Sequence, residues 1–303
     1  MWQQLLEDLQ EGNVKALARS ISLVENSHEG YEALLQSITI RSDARIIGIT
    51  GPPGAGKSTL VDALIGEALK QGKKVAVLCV DPSSPFNLGA VLGDRIRMSD
   101  WYTNPSVFIR SLATRGSMGG LHPKIIEITE LVRAAGYDEV IVETVGVGQS
   151  EIEIAGLADT TVVVVVPEAG DEVQTMKAGL MEIADIFVVN KSDRPDADAF
   201  VRNLRLMLAP SFARHTVEVK VIKTVASSHT GIAELYDAIV HHQQAGVTNE
   251  KKAWLLAERA YYLIQQKRMK DVRKESLQKE IQHQLQTKTF NLYQFIQTYL
   301  SGV

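Results

Sequence analysis

A glycine-rich stretch within the first sixty residues has the residue types that bind phosphate. Residues 51–59 read Gly-Pro-Pro-Gly-Ala-Gly-Lys-Ser-Thr and fit the pattern G-x-x-x-x-G-K-[ST]. Glycines let backbone N–H groups converge on phosphate oxygens, and the helix predicted to begin near Lys57 adds its positive dipole end. Lys57 would reach the β- and γ-phosphates of a nucleotide, and the Ser58 hydroxyl would bind Mg²⁺. The predicted phosphate-binding residues are Gly51, Pro52, Pro53, Gly54, Ala55, Gly56, Lys57, Ser58 and Thr59.

A second polar string follows an apolar run at residues 186–190 and reads Asn190, Lys191, Ser192, Asp193. It is similar to the N-K-x-D guanine-specificity motif of GTPases. The Asp193 carboxylate can accept hydrogen bonds from both the ring N–H and the exocyclic amine of guanine, whereas adenine presents no matching pair of donors. Asn190 and Lys191 would position the loop and flank the base. Four such residues alone could be an ordinary polar turn, but the preceding phosphate motif favours a GTP and GDP site.

Two further strand ends carry acids that could hold a metal. Glu143 ends an apolar run, where a carboxylate would hold Mg²⁺ through water, and the Gly146 N–H three residues later could sense the γ-phosphate. Val147 follows, where Ras-like proteins have a glutamine that orients the attacking water. An apolar side chain cannot do this, so we expect slow intrinsic hydrolysis.

Asp81 follows another apolar run and is predicted to lie beside Ser58 as a metal ligand. Asp94, in a stretch rich in Gly, Pro and Asn, is a candidate for binding Mg²⁺ or positioning water. The alternative for each is a surface charge or a helix cap. The string 110–120 is interpreted as a flexible basic loop, which could move with the nucleotide or be a plain connection.

The elements that must position these residues alternate between strands and helices. The predicted strands are mostly unbroken apolar runs, typical of parallel strands that are covered on both faces. We therefore predict an α/β fold with a doubly wound, mainly parallel sheet of P-loop NTPase type, and the site at the carboxyl ends of its strands. The predicted strands are 45–50, 74–80, 107–110, 139–143, 160–166, 186–190 and 217–222.

Helical patterns without strand signals flank this part of the chain. We predict an N-terminal helical extension over 1–42, a P-loop domain over 43–246 and a C-terminal helical arm over 247–303. The arm is expected to be a long helix or a helical pair with a narrow apolar stripe. Such a stripe needs a partner surface, so the arm is either a cap on the sheet or a dimerisation arm.

Composition limits the other classes of function. The 32 basic and 36 acidic residues give a net charge of -4, which favours neither nucleic acid nor an anionic membrane as a partner. One cysteine, Cys79, excludes a disulfide framework. No apolar stretch is long enough to span a membrane and the N-terminus has no signal pattern, so we expect a cytoplasmic protein.

The combination of strings resembles the methylmalonyl-CoA mutase-associated GTPases, the MeaB/ArgK type within the SIMIBI class. Besides the two motifs above, the resemblance includes Gly12-Asn-Val-Lys-Ala-Leu-Ala-Arg-Ser-Ile-Ser-Leu-Val-Glu25, Asp81-Pro-Ser-Ser-Pro, Gly93-Asp-Arg-Ile-Arg-Met, Glu143-Thr-Val-Gly-Val-Gly-Gln-Ser-Glu151 and Pro167-Glu-Ala-Gly-Asp-Glu. It covers residues from about 5 to 245.

The resemblance implies a homodimeric GTPase that acts as a chaperone of an adenosylcobalamin-dependent acyl-CoA mutase. Such proteins gate cofactor loading and protect or reactivate the mutase. The resemblance also implies switches around Asp94, around 146–151 and around 167–177, where Lys177 is a candidate catalytic residue. The chain has no Asp-x-His-x-x-Gly cobalamin motif, so the mutase would carry the cofactor.

One string departs from the family pattern. Where the family reads Ser-Ala-x, this chain has Val225, Ala226 and Ser227. The resemblance implies that the Ala226 N–H meets guanine O6, without the supporting serine hydroxyl.

Other functions stay open at this point. A small-molecule or protein kinase would need an adenine site and an acceptor pocket, against which N-K-x-D argues. A metallochaperone GTPase would usually expose Cys/His clusters, which this chain lacks. A binding module with an inactive nucleotide site would not need Lys57, Ser58 and Glu143 together.

Overall fold

Seven parallel strands form one sheet in the order β3-β2-β4-β1-β5-β6-β7. The computed structural model describes residues 2–40, 43–81, 95–115, 120–146, 152–168, 179–212, 219–245, 250–286 and 290–300. β2, β3 and β4 lie on one side of β1, whereas β5, β6 and β7 lie on the other side. The strand order therefore reverses at β1. In open α/β sheets such a reversal creates a crevice that binds ligands. The strands are β1 (Arg45–Thr50), β2 (Val75–Asp81), β3 (Val107–Ala113), β4 (Glu139–Glu143), β5 (Thr160–Val165), β6 (Ile186–Val189) and β7 (Lys220–Lys223).

Helices cover both faces of the sheet, as the apolar strand patterns predicted. One face packs against α4 and α9 through a continuous apolar core that includes Ile49, Leu64 and Leu235. On the other face, a Cβ added at Gly48 would lie 2.6 Å from Ile154 of α6, so that helix packs directly on the backbone of β1. The helices in the described residues are α1 (Trp2–Gln10), α2 (Val14–Glu25), α3 (Tyr31–Ser37), α4 (Lys57–Lys70), α5 (Ile125–Ala134), α6 (Ile152–Leu157), α7 (Gly179–Ile183), α8 (Ala197–Phe212), α9 (Ile232–Gln244), α10 (Glu250–Arg268), α11 (Lys274–Gln286) and α12 (Leu292–Leu300).

The third strand differs from its predicted form. The loop expected to begin at Arg110 begins later, because Arg110 to Ala113 continue β3 and pair in register with β2 as far as Asp81. Local composition indicated a loop, but pairing with a buried neighbouring strand provides the hydrogen bonds that this segment needs. The seventh strand begins at Lys220 rather than 217, although residues 217 and 218 lie outside the described part.

The N-terminal extension consists of three helices, with interruptions at residues 11–13 and 26–30. The first interruption contains Gly12, which has φ 82°, and Asn13. The Asn13 side chain accepts hydrogen bonds from the N–H groups of Lys15 and Ala16 and so caps α2. Leu17 and Ile21 of α2 are fully buried. The extension is thus an ordered layer of the molecule.

The C-terminal region contains three helices, α10, α11 and α12, where one or two were predicted. The chain divides into two compact units, Met1–Ala253 and Trp254–Val303. Phe295 is the single apolar side chain that is buried among the described residues of the second unit, where it contacts Phe290 and Tyr299. The domain boundaries after residues 42 and 246 stay a prediction. No helix in the described segments is long and apolar enough to cross a membrane.

A repeated aspartate fixes the amino ends of the strands. Asp138, Asp159 and Asp185 each stand directly before a strand, and each carboxylate accepts a main-chain N–H from a neighbouring strand or its entry, at 2.7 to 2.8 Å. These bonds satisfy donors where the parallel ladder begins. They help to hold the strands in register, which places the opposite, carboxyl ends side by side.

A buried acid at the amino end of β4 is not part of any predicted site. Tyr236 of α9 donates a 2.6 Å hydrogen bond to Oε1 of Glu139, while Oε2 is buried and makes no hydrogen bond. Burial raises the pKa of the Glu139 carboxyl, and the bond from Tyr236 only partly opposes this. The folded protein therefore disfavours the ionised acid.

We expect Glu139→Gln to stabilise the protein at neutral and alkaline pH, because it removes the ionisation and keeps an acceptor for Tyr236. A raised folded-state pKa means that the carboxyl's contribution is fully favourable below its unfolded pKa and is lost as pH rises through the folded pKa. The variant should melt about 1–3 °C above the parent at pH 8. Thermal melts between pH 5 and pH 8 should show this gain shrinking as pH falls. Exposed Glu234→Gln is the matched control, and a pH-independent difference would contradict the assignment.

Candidate functional site

The predicted phosphate loop joins β1 to α4 at the carboxyl edge of the sheet. Gly51 and Gly56 have φ of 137° and 89°, in the region that favours glycine. A Cβ at Gly51 would lie 2.0 Å from the carbonyl oxygen of Val164, and one at Gly56 would lie 2.4 Å from Nδ2 of Asn190. The glycines therefore let the loop pass directly against β5 and the Asn190 side chain.

Lys57 and Ser58 begin α4, and both are buried. Lys57 Nζ donates to the carbonyl oxygens of Gly51 and Pro52 at 2.9 and 3.2 Å, so the loop backbone surrounds the ammonium group. Ser58 Oγ donates to Glu143 Oε1 at 2.8 Å. The Ser58 hydroxyl and the Glu143 carboxylate are thus in contact although they are 85 residues apart in the sequence.

The segment after β4 lies against the same loop. Thr144 donates its N–H to Ile49, and its hydroxyl lies 2.9 Å from that of Thr50. Gly146 has φ 81°, and a Cβ there would be 2.4 Å from Lys57 Nζ. Gly146 is therefore in contact with the phosphate loop, as its predicted role requires. Val147 and the rest of the predicted switch to residue 151 lie outside the described residues.

The predicted metal ligands fall into two groups. Ser58 and Glu143 are in contact, and Asp81 is buried at the end of β2, whose Cys79 pairs with Glu143 in register. Asp94 and Lys177 lie outside the described residues, so their roles stay predictions. Within the described part, no group of three or more His, Cys, Asp or Glu could hold a metal ion by itself. A nucleotide-bound Mg²⁺ needs no such group, because it binds one or two carboxylates together with phosphates and water.

Asn190 connects the phosphate loop with the chain that follows β7. Its Nδ2 donates to the Ala55 carbonyl at 2.9 Å, and its Oδ1 accepts from Thr224 Oγ1 and from the Ala226 N–H, both at 3.1 Å. Lys191, at φ 55°, donates from Nζ to the Gly54 carbonyl at 2.7 Å. Both residues therefore contact the phosphate loop, and their predicted place beside the base stays a prediction.

Asp193 is exposed at the end of this string. Val225 and Ser227 flank Ala226 in a tight turn, which an isolated bridge between Val225 and Thr230 closes. The Ala226 N–H, which the resemblance directed at guanine O6, here donates to Asn190. Its contact with the base stays a prediction.

Three contacts near the site were not predicted from the sequence. Thr224 bonds to Asn190, Thr50 lies against Thr144, and Arg194 donates to the Glu168 carboxylate. The last contact joins the residue after Asp193 to the start of the predicted third switch, and the bond from Arg194 lowers the pKa of Glu168. The one sequence signal for these contacts was a threonine or an arginine next to a motif. Such a residue does not show which distant residue it contacts.

Comparisons with known proteins agree with this geometry. The sequence model of the family "Methylmalonyl Co-A mutase-associated GTPase MeaB" matches residues 17–282. A relative in Pyrococcus abyssi, whose name gives it provisionally as a GTPase, is 51% identical over 248 residues, which cover 80% of this chain and 76% of the relative. GTPase ArgK of Escherichia coli is 35% identical over 299 residues, covering 94% of this chain and 86% of ArgK.

Two further matches extend the comparison. The mitochondrial methylmalonic aciduria type A homolog of Caenorhabditis briggsae is 40% identical over 243 residues, covering 75% of this chain and 59% of the homolog. A crystal structure titled LAO/AO transport system kinase superposes with a TM-score of 0.68 at 27% identity, covering 98% of this chain and 95% of that one. The parallel sheet, the phosphate loop and these matches lead to one assignment: the chain is a P-loop GTPase and belongs to the family of methylmalonyl-CoA mutase-associated GTPases of the MeaB type.

Proposed function

We propose that this GTPase is a chaperone of an adenosylcobalamin-dependent acyl-CoA mutase, which acts on methylmalonyl-CoA or a similar substrate. In this role it would gate the loading of the cofactor and protect or reactivate the mutase. The observation that carries the proposal is the family match over residues 17–282, together with a nucleotide site whose described parts are in contact. The mutase would hold the cobalamin, and the pair would work in the cytoplasm.

The site has the oxygen donors that a Mg²⁺ ion bound to GTP prefers. The Ser58 hydroxyl and the Glu143 carboxylate, 2.8 Å apart and buried, would hold the ion directly or through water, with Asp81 beside them. Asp94 is the fourth proposed ligand. The ion would neutralise charge on the phosphate oxygens. The Ser58–Glu143 contact supports this assignment because both groups already face one another at the mouth of the phosphate loop.

The chain's own residues would then bind and orient the nucleotide. Lys57 would exchange its two carbonyl acceptors for phosphate oxygens, to which charge-assisted bonds are stronger. The Gly146 N–H would report the γ-phosphate to the switch that follows it. Asp193 would select guanine, while Asn190 keeps the base-binding turn attached to the phosphate loop.

The C-terminal helices suit a homodimer. In the second unit, large apolar side chains are exposed along all three helices, and a polar helix with such a stripe is stabilised when a partner covers it. We propose that a second copy of the chain is this partner. The exposed residues are Trp254, Leu256, Tyr261, Tyr262, Ile264, Met269, Leu285, Leu292, Tyr293 and Ile296.

The chaperone role predicts that the mutase accelerates GTP hydrolysis. Val147 offers no side chain to orient water, so the protein alone should turn over below ~0.1 per second. Single-turnover hydrolysis should rise at least about tenfold when a cobalamin-dependent acyl-CoA mutase of the source organism is added. Lys177→Ala should remove most of this stimulation and leave GTP affinity unchanged, because the partner would order a loop that acts only in the transition state.

The matched control is Lys220→Ala, which removes an exposed lysine at the amino end of β7, away from the site. It should be stimulated like the parent. If no cobalamin mutase of the organism accelerates hydrolysis, the chaperone proposal is wrong. If Lys177→Ala is stimulated as strongly as the parent, the proposal stands and Lys177 has no part in it.

A further inference from the structure

A single acid at the end of α2 lies against two arginines and a histidine of the catalytic domain. Glu25, the last residue of α2, has a largely buried side chain. Its Oε2 lies 2.6 Å from Arg110 Nη2, and its Oε1 lies 3.7 Å from Arg115 Nη2 and 4.0 Å from His122 Nε2. All three partners belong to one stretch of chain, β3 and the segment that follows it.

Arg115 makes further bonds that fix its direction. Its Nη1 donates to the Glu25 carbonyl at 2.9 Å and its Nη2 to Asn26 Oδ1 at 3.1 Å. The residue has φ 47°, a left-handed conformation that a non-glycine side chain adopts only where surrounding contacts favour it. The bonds to α2 are the contacts that favour it here.

The same stretch of chain is bonded to the nucleotide site on its other side. Ala113 pairs in register with Asp81, and the Thr114 N–H donates to the Asp81 carbonyl at 3.1 Å. Arg115 comes next. A shift of Arg115 away from Glu25 would therefore be transmitted to Asp81 through the backbone of Thr114 and its hydrogen bond to the Asp81 carbonyl.

We infer that Glu25 is a positioning residue for GTP hydrolysis. It holds residues 110–115 against α2, and this segment in turn holds the main chain of Asp81, the buried acid at the phosphate-binding edge. The N-terminal extension is then a working part of the catalytic domain, although it was predicted as a separate helical addition. The step from Asp81 to the metal rests on the proposed Mg²⁺ site, whereas the step from Glu25 to Asp81 does not.

A bulk effect on stability is the alternative that the experiment must separate. Removing a carboxylate between two guanidinium groups leaves partly buried charge uncompensated, which would destabilise the fold whatever its role in catalysis. Ile21→Val, a mild truncation of a fully buried residue in α2, serves as a control that destabilises the extension without touching the ion cluster. Glu29→Gln, at an exposed acid nearby, controls for the change of charge.

The test compares Glu25→Gln and Arg115→Gln with these controls in the full chain. Amide exchange of the segment 107–115, followed by mass spectrometry, should be at least about fivefold faster in both variants, because the Thr114–Asp81 bond opens more often. At a temperature well below melting, kcat for GTP should fall about three- to tenfold, with KM within about twofold of the parent value. The effects of the two substitutions should be less than additive when combined, since both loosen the attachment of the same segment, 110–115, to α2.

Three results would overturn the inference. The first is exchange in this segment that stays within twofold of the parent in both Glu25→Gln and Arg115→Gln. The second is a loss of kcat in Ile21→Val as large as that in Glu25→Gln, which would make the effect one of stability. If Glu25→Gln does not fold, Arg115→Gln decides alone, because its side chain is one-third exposed and its loss is tolerated more easily. The third is faster exchange with an unchanged kcat. This result would support the connection between Glu25 and Asp81 but would show that Glu25 has no effect on GTP hydrolysis.

Discussion

Lys57→Ala is expected to lower single-turnover GTP hydrolysis at least about a hundredfold, to the background level. Lys57 is a buried cation whose ammonium group is surrounded by the carbonyls of the phosphate loop. In a site of low dielectric constant, a fixed positive charge stabilises negative charge that develops on phosphate oxygens far more than it would in water. No other cation of the loop 51–59 could replace it.

The measurement is quenched-flow or manual sampling of GTP cleavage with enzyme in excess over nucleotide. Lys70→Ala is the matched control, because Lys70 is at the exposed end of the same helix and pairs with Glu67 on the surface. It should hydrolyse GTP like the parent. Retained turnover in Lys57→Ala would mean that the phosphate motif does not carry the reaction in this chain.

The strands of the sheet could be predicted well because the pattern that indicates each strand lies within a few consecutive residues. Most of the strands are apolar runs that begin and end at polar or turn-forming residues, and parallel strands covered on both faces need such runs. β3 failed this rule after Arg110, since Ser111 and the residues beside it are paired by β2 and not by their own sequence. The third C-terminal helix, α12, was not predicted; it is a short helix of nine residues, in which Phe295 is buried.

The site was predictable residue by residue but not contact by contact. The motif strings select Lys57, Glu143 and Asn190 because each proposed role depends on a fixed local spacing, and the structure places all three at the carboxyl edge of the sheet. The contacts that hold the strings together join residues far apart in the sequence. Asn190, for example, contacts Thr224, 34 positions away, and Ala55, 135 positions away. These contacts depend on the order of strands in the sheet, which no single motif contains. Glu25 is the clearest case, because an ordinary acid at a helix end has no pattern of its own.

Asp193→Asn is the second large effect, and it concerns the choice of base. We expect GTP affinity to fall thirty-fold or more, because two hydrogen bonds to a charged carboxylate are worth roughly 2–4 kcal/mol. An amide can accept one bond from guanine, but its NH₂ group would face the exocyclic amine, donor against donor. Asp193 is exposed and outside the packed core, so the fold should tolerate the change.

The same substitution should improve the binding of xanthosine nucleotides, whose base has a carbonyl where guanine has the amine. The asparagine NH₂ can donate to that carbonyl, so the loss for one base should become a gain for the other. Fluorescence titrations with labelled GDP and XDP would measure both affinities. Asp196→Asn is the matched control, since Asp196 is an exposed acid three residues away at φ 64°, a conformation that asparagine also adopts readily. A general loss of affinity for both nucleotides would indicate damage to the loop, whereas unchanged GTP binding in Asp193→Asn would remove this carboxylate from base recognition. Only reciprocal changes for the two bases place Asp193 against the edge of the purine.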